Sequence, residues 1–337
     1  MNSHREGLER ALNDAWYHGA KWTMIFLPLI PLVMLFTYLR RSFRPHNGSA
    51  ALGAPIVIIG GLTAGGTGKT PALIALANYL SGKGFRVGVV SRGYGRTTDD
   101  SSLLVSEEHT HDEVGDEPLL IKRSAPEAHV IVGKSRKNAA KSLIRELGAQ
   151  VVLSDDGLQH YDLPRDFEVA VIDADRGLGN GWLLPVGPLR EPRERLASVD
   201  FVLERNGSVE SRALTYAPKR FTSVKTQQTL TIDDARALFA GASLVAATGL
   251  GQPAQFFTML RHMGFEFTEV AVADHALLPL SDIQESYDPE YIVVTAKDAV
   301  KMDKQACDNV WVIAVEAQLP EALMSSLEQL LGRVARY

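Results

Sequence analysis

Short apolar runs alternate with longer mixed stretches along most of this chain. The runs are rich in valine and isoleucine, which favour strands, and several of them end in glycine, serine or aspartate. In the first half of the chain they fall at 55–59, 87–90, 130–132, 151–153 and 169–172. Strands that alternate with helical stretches are typical of an α/β protein whose sheet is mostly parallel. We therefore predict this fold class.

The second half repeats the pattern on a smaller scale. Strands are predicted at 244–248, 270–275, 291–295 and 310–315, and helices at 253–263 and 320–334. Residues 216–232 have the pattern of a β-hairpin that connects the two parts. We predict three units: an N-terminal helical membrane anchor over 1–50, a larger α/β domain over 51–212 and a smaller α/β domain over 213–337.

The anchor is predicted from residues 23–39, which are apolar and carry no charge. A helix over this stretch would be about 26 Å long, slightly short of a hydrocarbon core of about 30 Å. Pro28 and Pro31 would kink it, and Trp22 and Tyr38 lie at its ends. The arginines that follow would keep the rest of the chain in the cytoplasm. The pattern is compatible with a segment that spans the bilayer and with one that inserts into a single leaflet. A buried core helix and a cleaved signal peptide are the alternatives to an anchor.

Composition and charge narrow the class of protein further. The chain is 45% hydrophobic and 22% charged, which suits a globular core and excludes a disordered chain. The formal net charge of -5 lacks the basic excess of duplex-binding proteins, so no nucleic-acid partner is expected. The single cysteine, Cys307, excludes an intrachain disulfide and suits a reducing compartment.

A glycine-rich loop follows the first predicted strand and leads into a predicted helix at 71–80. The loop, GGLTAGGTGKT over 60–70, has the Gly-Lys-Thr of a P-loop, with threonine where the general pattern begins with glycine. Backbone N–H groups in such a loop point at phosphate oxygens; an ordinary glycine turn is the alternative. Lys69 would reach the β- and γ-phosphates and Thr70 would bind Mg²⁺. The predicted nucleotide-binding residues are Thr63, Ala64, Gly65, Gly66, Thr67, Gly68, Lys69 and Thr70.

Two carboxylates follow the predicted strand at 151–153. Asp155 and Asp156 repel each other, so they make most sense beside a divalent cation. A strand that ends in carboxylates is also what a P-loop enzyme uses to hold Mg²⁺. Asp173 ends the strand at 169–172 and is a rival, with a loop or helix-capping role as its alternative.

Other polar side chains follow predicted strands, where ligands bind in open α/β sheets. They lie in the segments 91–96, 133–136 and 157–160, and in a proline-rich loop over 183–192 that carries Arg190 and Glu191. Their arginines suit phosphate, although each could be a solvated charge or part of a scaffold. Asp116 precedes a helical run and could be its N-cap, and His275 could be an exposed or structural loop histidine.

Seven segments, in this order, resemble the tetraacyldisaccharide 4'-kinase (lipid A 4'-kinase) family. They are GGLTAGGTGKTP, SRGYGR, GDEPLL, SDDGLQHYDLPRDFEVAVID, RGLGNGWLLPVGPLREP, the pair Asp274–His275, and TAKDAVK. The resemblance implies a membrane-anchored enzyme of the inner (cytoplasmic) membrane, with a P-loop kinase domain and a second, smaller domain facing the cytoplasm. It would transfer phosphate from ATP, with Mg²⁺, to the 4'-hydroxyl of a tetraacylated glucosamine disaccharide 1-phosphate, forming lipid IVA in lipid A synthesis.

The resemblance also implies roles for individual residues. Asp116 would be the catalytic base and His275 its partner, with Lys69 as a further catalytic residue. Thr70, Asp155, Asp156 and Glu191 would serve the metal. The site would be lined by residues at other family-motif positions: Arg92, Tyr94, Gln159, His160 and Arg190.

Two other classes of protein remain as alternatives. A membrane-targeting P-loop GTPase or ATPase switch would read guanine with an N/T-K-x-D loop, but Lys297 and Asp298 are adjacent here, so the spacing fails. A structural membrane scaffold has no need for the intact Lys69–Thr70 pair.

Overall fold

A computed structural model describes residues 2–42, 52–97, 102–274, 276–302 and 308–334 of the chain. Its helices are α1 (Asn2–Tyr17), α2 (Ile30–Ser42), α3 (Lys69–Gly82), α4 (His111–Val114), α5 (Asp116–Ser124), α6 (Arg136–Arg145), α7 (Ile232–Phe239), α8 (Pro253–His262), α9 (Leu280–Tyr287), α10 (Ala296–Ala299) and α11 (Glu321–Val334). Two further segments, Trp22–Leu29 and Arg193–Ser198, are 3₁₀ helices.

The strands join into one sheet. They are β1 (Ile56–Gly60), β2 (Val87–Ser91), β3 (Leu103–Leu104), β4 (His129–Val132), β5 (Val151–Ser154), β6 (Phe167–Asp173), β7 (Phe201–Arg205), β8 (Ala213–Ser223), β9 (Thr229–Leu230), β10 (Leu244–Thr248), β11 (Thr268–Ala271), β12 (Tyr291–Thr295) and β13 (Val310–Gln318). Their order is β11-β10-β12-β13-β8-β7-β6-β1-β5-β2-β4-β3, and β9 pairs with β8. Most neighbours are parallel, and β8 runs antiparallel to β13 where the two halves of the sheet meet.

The sheet is buried on both faces, which explains why its central strands read as continuous apolar runs. In β1 the alternation of side chains sends Val57 and Ile59 to the core beneath α3, and Ile56 and Ile58 to the core beneath α6. The second half has its own two cores, one on each face of β10 and β12. The predicted α/β class with a mostly parallel sheet is therefore confirmed.

The predicted elements mostly agree with the observed ones, with shifts at their ends. The predicted hairpin at 216–232 corresponds to β8 and β9, which pair with each other. The strand β8 also pairs with β13, where the two halves of the sheet meet. The predicted strand at 270–275 ends earlier, at Ala271, so Asp274 lies in the loop after β11. Because one sheet runs through both parts of the chain, the boundary between 51–212 and 213–337 stays a prediction.

The apolar N-terminal segment changes geometry at its prolines. Trp22–Leu29 is a 3₁₀ helix containing Pro28, and α2 then begins at Ile30, so the predicted kink is a change of helix type. By length and composition, Trp22–Ser42 could cross a membrane. One face packs on the body, whereas Ile25 and Leu32 on the other face are 77% and 66% exposed. Such exposure disfavours the buried-core-helix alternative.

Candidate active site

The glycine-rich loop connects β1 to α3 in a conformation that only glycine adopts readily. Gly65 and Gly68 have φ values of +99° and +90°, and α3 begins directly after Gly68. A Cβ atom on Gly68 would also collide with the hydroxyl of Tyr216. The N–H groups of the first turn of α3 have no intrahelical partner, so this end of the helix can bind an anion.

Lys69, the first residue of α3, faces the carboxylate that follows β5. Its Nζ atom lies 3.8 Å from Oδ1 of Asp156 and 3.4 Å from the carbonyl oxygen of Gly65. This meeting arises because β1 and β5 are parallel neighbours and their carboxyl ends share one edge of the sheet. Burial alone would raise the pKa of Asp156, but Lys69 and Arg190 lower it to about 2. Asp156 is therefore an anion at neutral pH.

Asp155 has a different environment from its neighbour. Its carboxylate is buried, and Oδ2 accepts a hydrogen bond of 3.1 Å from Ser91 at the end of β2. Burial, with the nearby charges of Glu117 and Asp156, raises the pKa of Asp155 to about 7. Its Oδ1 atom has no hydrogen-bond partner among the described residues. A further positive charge near the pair would restore the ionised form of Asp155.

Arginine and glutamine side chains surround Asp156. Nη1 of Arg190 donates to Asp156 Oδ2 at 2.7 Å and to Gln159 Oε1 at 3.4 Å. Gln159 in turn donates to the carbonyl of Gly61 at 3.2 Å. Arg136, which is buried, donates to the backbone carbonyl of Asp156 at 2.9 Å. These bonds tie the loops after β1, β5 and the proline-rich segment into one cluster.

Glu191 lies beside this cluster but makes its own contacts. Oε2 accepts a 2.6 Å hydrogen bond from the Tyr161 hydroxyl and lies 3.3 Å from Nε of Arg195. Oε1 is buried and has no hydrogen-bond partner among the described residues. Protein groups thus pair with Oε2 of this carboxylate and leave Oε1 for another partner.

Asp173, the rival metal ligand, has a cationic partner instead. It ends β6 and forms a buried ion pair with Arg205 at the end of β7. Arg205 also donates to Oε1 of Gln252 at 2.8 Å, and Gln252 donates to the carbonyl of Gly66 at 2.9 Å. The second half of the chain therefore touches the phosphate loop directly.

Asp116 lies where the two halves of the molecule meet. It is the first residue of α5, and Gly115 occupies the N-cap position, so the alternative in which Asp116 is the N-cap is wrong. Its carboxylate accepts a hydrogen bond from the Glu117 N–H at 2.9 Å and lies 3.8 Å from Nζ of Lys301. The predicted partner, His275, lies outside the described residues.

The remaining predicted residues line the same edge of the sheet. Arg92 and Tyr94 are exposed in the loop after β2. His160 is half-buried near Arg136, and burial together with that charge lowers its pKa to about 4. Thr63, Thr67 and Thr70 are buried in the phosphate loop or at the start of α3.

Several contributing residues had no individual role predicted from the sequence, among them Ser91, Arg205, Tyr216 and Gln252. Ser91 lies within the quoted segment SRGYGR and could have been found from its place at a strand end. Arg205, Tyr216 and Gln252 carry no local signal, because only strand order brings them to the phosphate loop.

Within the part of the chain that the structure describes, no cluster of three His, Cys, Asp or Glu side chains has the arrangement of a metal site. A Mg²⁺ ion bound with a nucleotide needs fewer protein ligands, because phosphates and water supply the rest. The partnerless Oδ1 of Asp155 and Oε1 of Glu191 are hard oxygen donors of the kind that this ion prefers. The donor set therefore fits Mg²⁺ bound together with a nucleotide.

Comparison with known proteins agrees with this chemistry. A family model described as tetraacyldisaccharide-1-P 4'-kinase matches residues 22–332. A tetraacyldisaccharide 4'-kinase of Haemophilus influenzae is 38% identical over 312 residues, covering 91% of this chain and 92% of its own length. One from Alcanivorax borkumensis is 38% identical over 328 residues, covering 97% and 99%.

The fold is similar to that of a solved structure. The crystal structure of LpxK from Aquifex aeolicus in complex with ATP has a TM-score of 0.69 and 24% sequence identity, covering 93% of this chain and 99% of that one. The family match extends over nearly the whole chain and the curated relatives match almost end to end. The chain belongs to the tetraacyldisaccharide-1-P 4'-kinase family.

Proposed function

We propose that this enzyme transfers the γ-phosphate of ATP to the 4'-hydroxyl of a tetraacylated glucosamine disaccharide 1-phosphate, forming lipid IVA in lipid A synthesis. The observation that carries the proposal is the position of Lys69. Its ammonium group lies between the phosphate-loop carbonyl of Gly65 and the carboxylate of Asp156. A cation held there meets the phosphates of a nucleotide and neutralises charge that develops during transfer.

The nucleotide would bind with its phosphates in the loop from Thr63 to Thr70. Backbone N–H groups at the start of α3 and the ammonium of Lys69 supply the positive potential. Thr70, Asp155, Asp156 and Glu191 would hold Mg²⁺, which when bound neutralises charge on the phosphate oxygens. The buried, partnerless oxygens of Asp155 and Glu191 support this assignment.

The acceptor hydroxyl needs a base, because a sugar hydroxyl is a poor nucleophile at neutral pH. We assign this role to Asp116, with His275 as its partner. The hydroxyl proton passes to the Asp116 carboxylate as its oxygen bonds to the γ-phosphorus. The bond from phosphorus to the β,γ-bridging oxygen breaks, and ADP leaves. Arg92, Tyr94, Gln159, His160 and Arg190 would line the disaccharide site.

The N-terminal segment supports binding in one leaflet of the inner membrane, facing the cytoplasm. Thr23, near its start, donates to the carbonyl of Val186 at 2.9 Å. Near its end, Arg40 donates to the carbonyl of Gln159 at 3.2 Å and Arg41 to the hydroxyl of Ser198 at 3.3 Å. A segment with both ends held against one body lies along the membrane surface, and its exposed face would enter the acyl region. The contact to Gln159 would bring the lipid head group close to the site.

The test is transfer of labelled γ-phosphate from ATP to the disaccharide lipid in mixed micelles. Lys69→Met should lower kcat/KM about 100-fold or more, because it removes a transition-state cation. Lys83→Met is the matched control, since this exposed lysine just after α3 forms a surface ion pair with Glu328. The control should retain wild-type transfer.

Two results would overturn the proposal. Transfer at the wild-type rate by Lys69→Met would remove the phosphate loop from the mechanism. Nucleotide hydrolysis that ignores the lipid acceptor would instead support the P-loop switch alternative.

A further inference from the structure

A buried lysine of the second half of the chain reaches the carboxylate of Asp116. Nζ of Lys301 lies 3.8 Å from Oδ2 of Asp116, and the two side chains are only 4% and 9% exposed. The same Nζ donates a 3.3 Å hydrogen bond to the carbonyl of Ala276, in the loop after β11. Lys301 therefore links α5 of the first half to Ala276 of the second half.

The neighbourhood of this link contains further charges that are partly buried. Lys297, on α10, lies 2.9 Å from Oδ1 of Asp274. Burial alone would lower the pKa of Lys297, but Asp274, Glu117 and Asp116 raise it above its ordinary value. Two cations thus face three carboxylates across the junction, and α10 packs directly against α5.

We propose that Lys301 is a positioning residue that holds the carboxylate of Asp116 ionised and aimed at the acceptor hydroxyl. The inference rests on the proposed function, because it gives Asp116 the role of base. A carboxylate accepts a proton only in its ionised form, and burial disfavours that form. A lysine within 4 Å favours the ionised form and restricts the rotation of the carboxylate.

Lys301 is better suited to this task than Lys297. The ammonium of Lys297 donates a hydrogen bond to Asp274. The charge of Asp274 therefore acts on Lys297 more strongly than the charge of Asp116 does. Lys301 lies four residues further along the chain, just beyond the end of α10, and its Nζ is 3.8 Å from Asp116 itself. Its hydrogen bond to the carbonyl of Ala276 restricts the position of the ammonium.

A purely structural role for Lys301 would give a different kinetic result. If the pair only held the two halves together, its loss would loosen the contact of Gln252 with the phosphate loop as well. The KM for ATP would then rise together with the fall in kcat. A role through Asp116 affects the proton transfer alone, so kcat falls and the KM for ATP is unchanged.

The experiment measures transfer to the disaccharide lipid by the full-length enzyme with Lys301→Met, Lys301→Arg and Asp116→Asn. Lys301→Met should lower kcat about 10- to 100-fold with the KM for ATP within about twofold. Lys301→Arg keeps the charge and should recover most of the activity. In the Asp116→Asn background, Lys301→Met should cause little further loss, since both act on one step.

Lys219→Met is the matched control, because Lys219 also belongs to the second half and forms an exposed ion pair with Glu316. It should retain wild-type kcat and KM. If Lys301→Met fails to fold, Lys301→Gln keeps a hydrogen-bond donor for Ala276 and removes only the charge; the same fall in kcat is expected.

An unchanged kcat in Lys301→Met or Lys301→Gln would overturn the inference. It would also be overturned if Lys301→Met lowered kcat by the same factor in the Asp116→Asn background as in the wild type. A failure of the proposed function gives a different result, because the wild-type enzyme would then transfer no phosphate to the lipid at all.

Discussion

Thr23 donates a hydrogen bond of 2.9 Å to the backbone carbonyl of Val186, across 163 residues of sequence. Val186 belongs to the proline-rich loop whose Pro188 carbonyl accepts a 2.8 Å hydrogen bond from the N–H of Ala64 in the phosphate loop. One loop therefore contacts the apolar N-terminal segment on one side and the glycine-rich loop on the other. The apolar segment and the candidate active site are supported by the same loop.

This docking predicts that residues before the apolar segment stay on the cytoplasmic side. We expect a cysteine at the exposed Gly7 position, in a chain with Cys307 replaced by serine, to resist an impermeant maleimide in intact cells. Disruption of the membrane should allow labelling, because both ends of a one-leaflet segment share one side. Labelling is measured by the gel shift of the modified chain.

The control for this experiment is a cysteine at Val209, which is exposed on the body of the enzyme. It should behave as the Gly7→Cys variant does. Labelling of Gly7→Cys, but not of Val209→Cys, in cells whose inner membrane is intact would mean that the segment spans the membrane.

The second prediction concerns Tyr216, whose buried hydroxyl has no hydrogen-bond partner among the described residues. Burial raises its pKa to about 12, so the hydroxyl stays neutral. Tyr216→Phe should leave the free energy of unfolding unchanged or raise it slightly, because an unsatisfied polar group is removed. Gly68→Ala should lower it by about 1 kcal/mol or more, since alanine disfavours a φ of +90°.

Urea denaturation of the two single variants and the double variant separates two effects of Gly68→Ala: the backbone strain at position 68 and the collision of the new Cβ atom with the Tyr216 hydroxyl. Tyr216→Phe should recover part of the loss in Gly68→Ala, because the new Cβ meets the tyrosine hydroxyl. A strongly destabilised Tyr216→Phe variant would show that the hydroxyl has a partner after all.

The third prediction is a pH dependence at His160. Burial and the charges of Arg136, Arg40 and Arg92 bring its pKa to about 4, against 6.5 for an unperturbed histidine, although Asp162 acts in the opposite direction. The native state therefore favours the neutral ring. Its contribution to stability is complete above pH 6.5 and is lost as the pH falls from 6.5 towards 4.

An NMR titration checks this shift, with the His160 resonance assigned from its absence in His160→Gln. The expected midpoint lies near pH 4. The free energy of unfolding of the wild type should also fall relative to that of His160→Gln as the pH falls below 6.5. A midpoint of about 6 or higher in the free enzyme contradicts the burial argument.

The fourth prediction tests a buried ion cluster behind the site. Glu168 accepts a 2.7 Å hydrogen bond from Arg165 and another from Arg195, and the three side chains are almost completely buried. Glu168→Gln removes the buried carboxylate that Arg165 and Arg195 share, although Arg195 keeps its contact with Glu191. We expect the free energy of unfolding to fall by about 3–5 kcal/mol.

Glu316→Gln is the matched control for urea denaturation, since its partner Lys219 is half exposed. Removing that surface pair should cost about 1 kcal/mol or less. Equal losses in the two variants would mean that burial of the Glu168 cluster does not matter.

Much of the candidate site could be predicted because its parts are short and local. A phosphate loop is made of consecutive residues, so Gly65, Gly68 and Lys69 identified it without any tertiary information. The position of carboxylates at a strand end likewise marked Asp155 and Asp156. The α/β class followed from the alternation of apolar runs and helical stretches.

The contacts between distant segments could not be predicted in this way. The pattern around Asp116 favoured an N-cap, and only the resemblance to a kinase family pointed to a base. That Asp116 meets Lys301 depends on α5 packing against α10, which no local pattern encodes.

The sequence by itself determined the glycine-rich Gly-Lys-Thr loop, the apolar N-terminal segment and the type of fold, because hydrophobic periodicity and backbone chemistry act over a few neighbouring residues. The tertiary structure decided which carboxylate faces Lys69, what Asp173 and Arg205 pair with, and that the apolar segment lies along the body. These outcomes depend on strand order and on packing between remote elements. Their favourable free energy comes from burying apolar surface and from pairing charges that only the folded chain brings together.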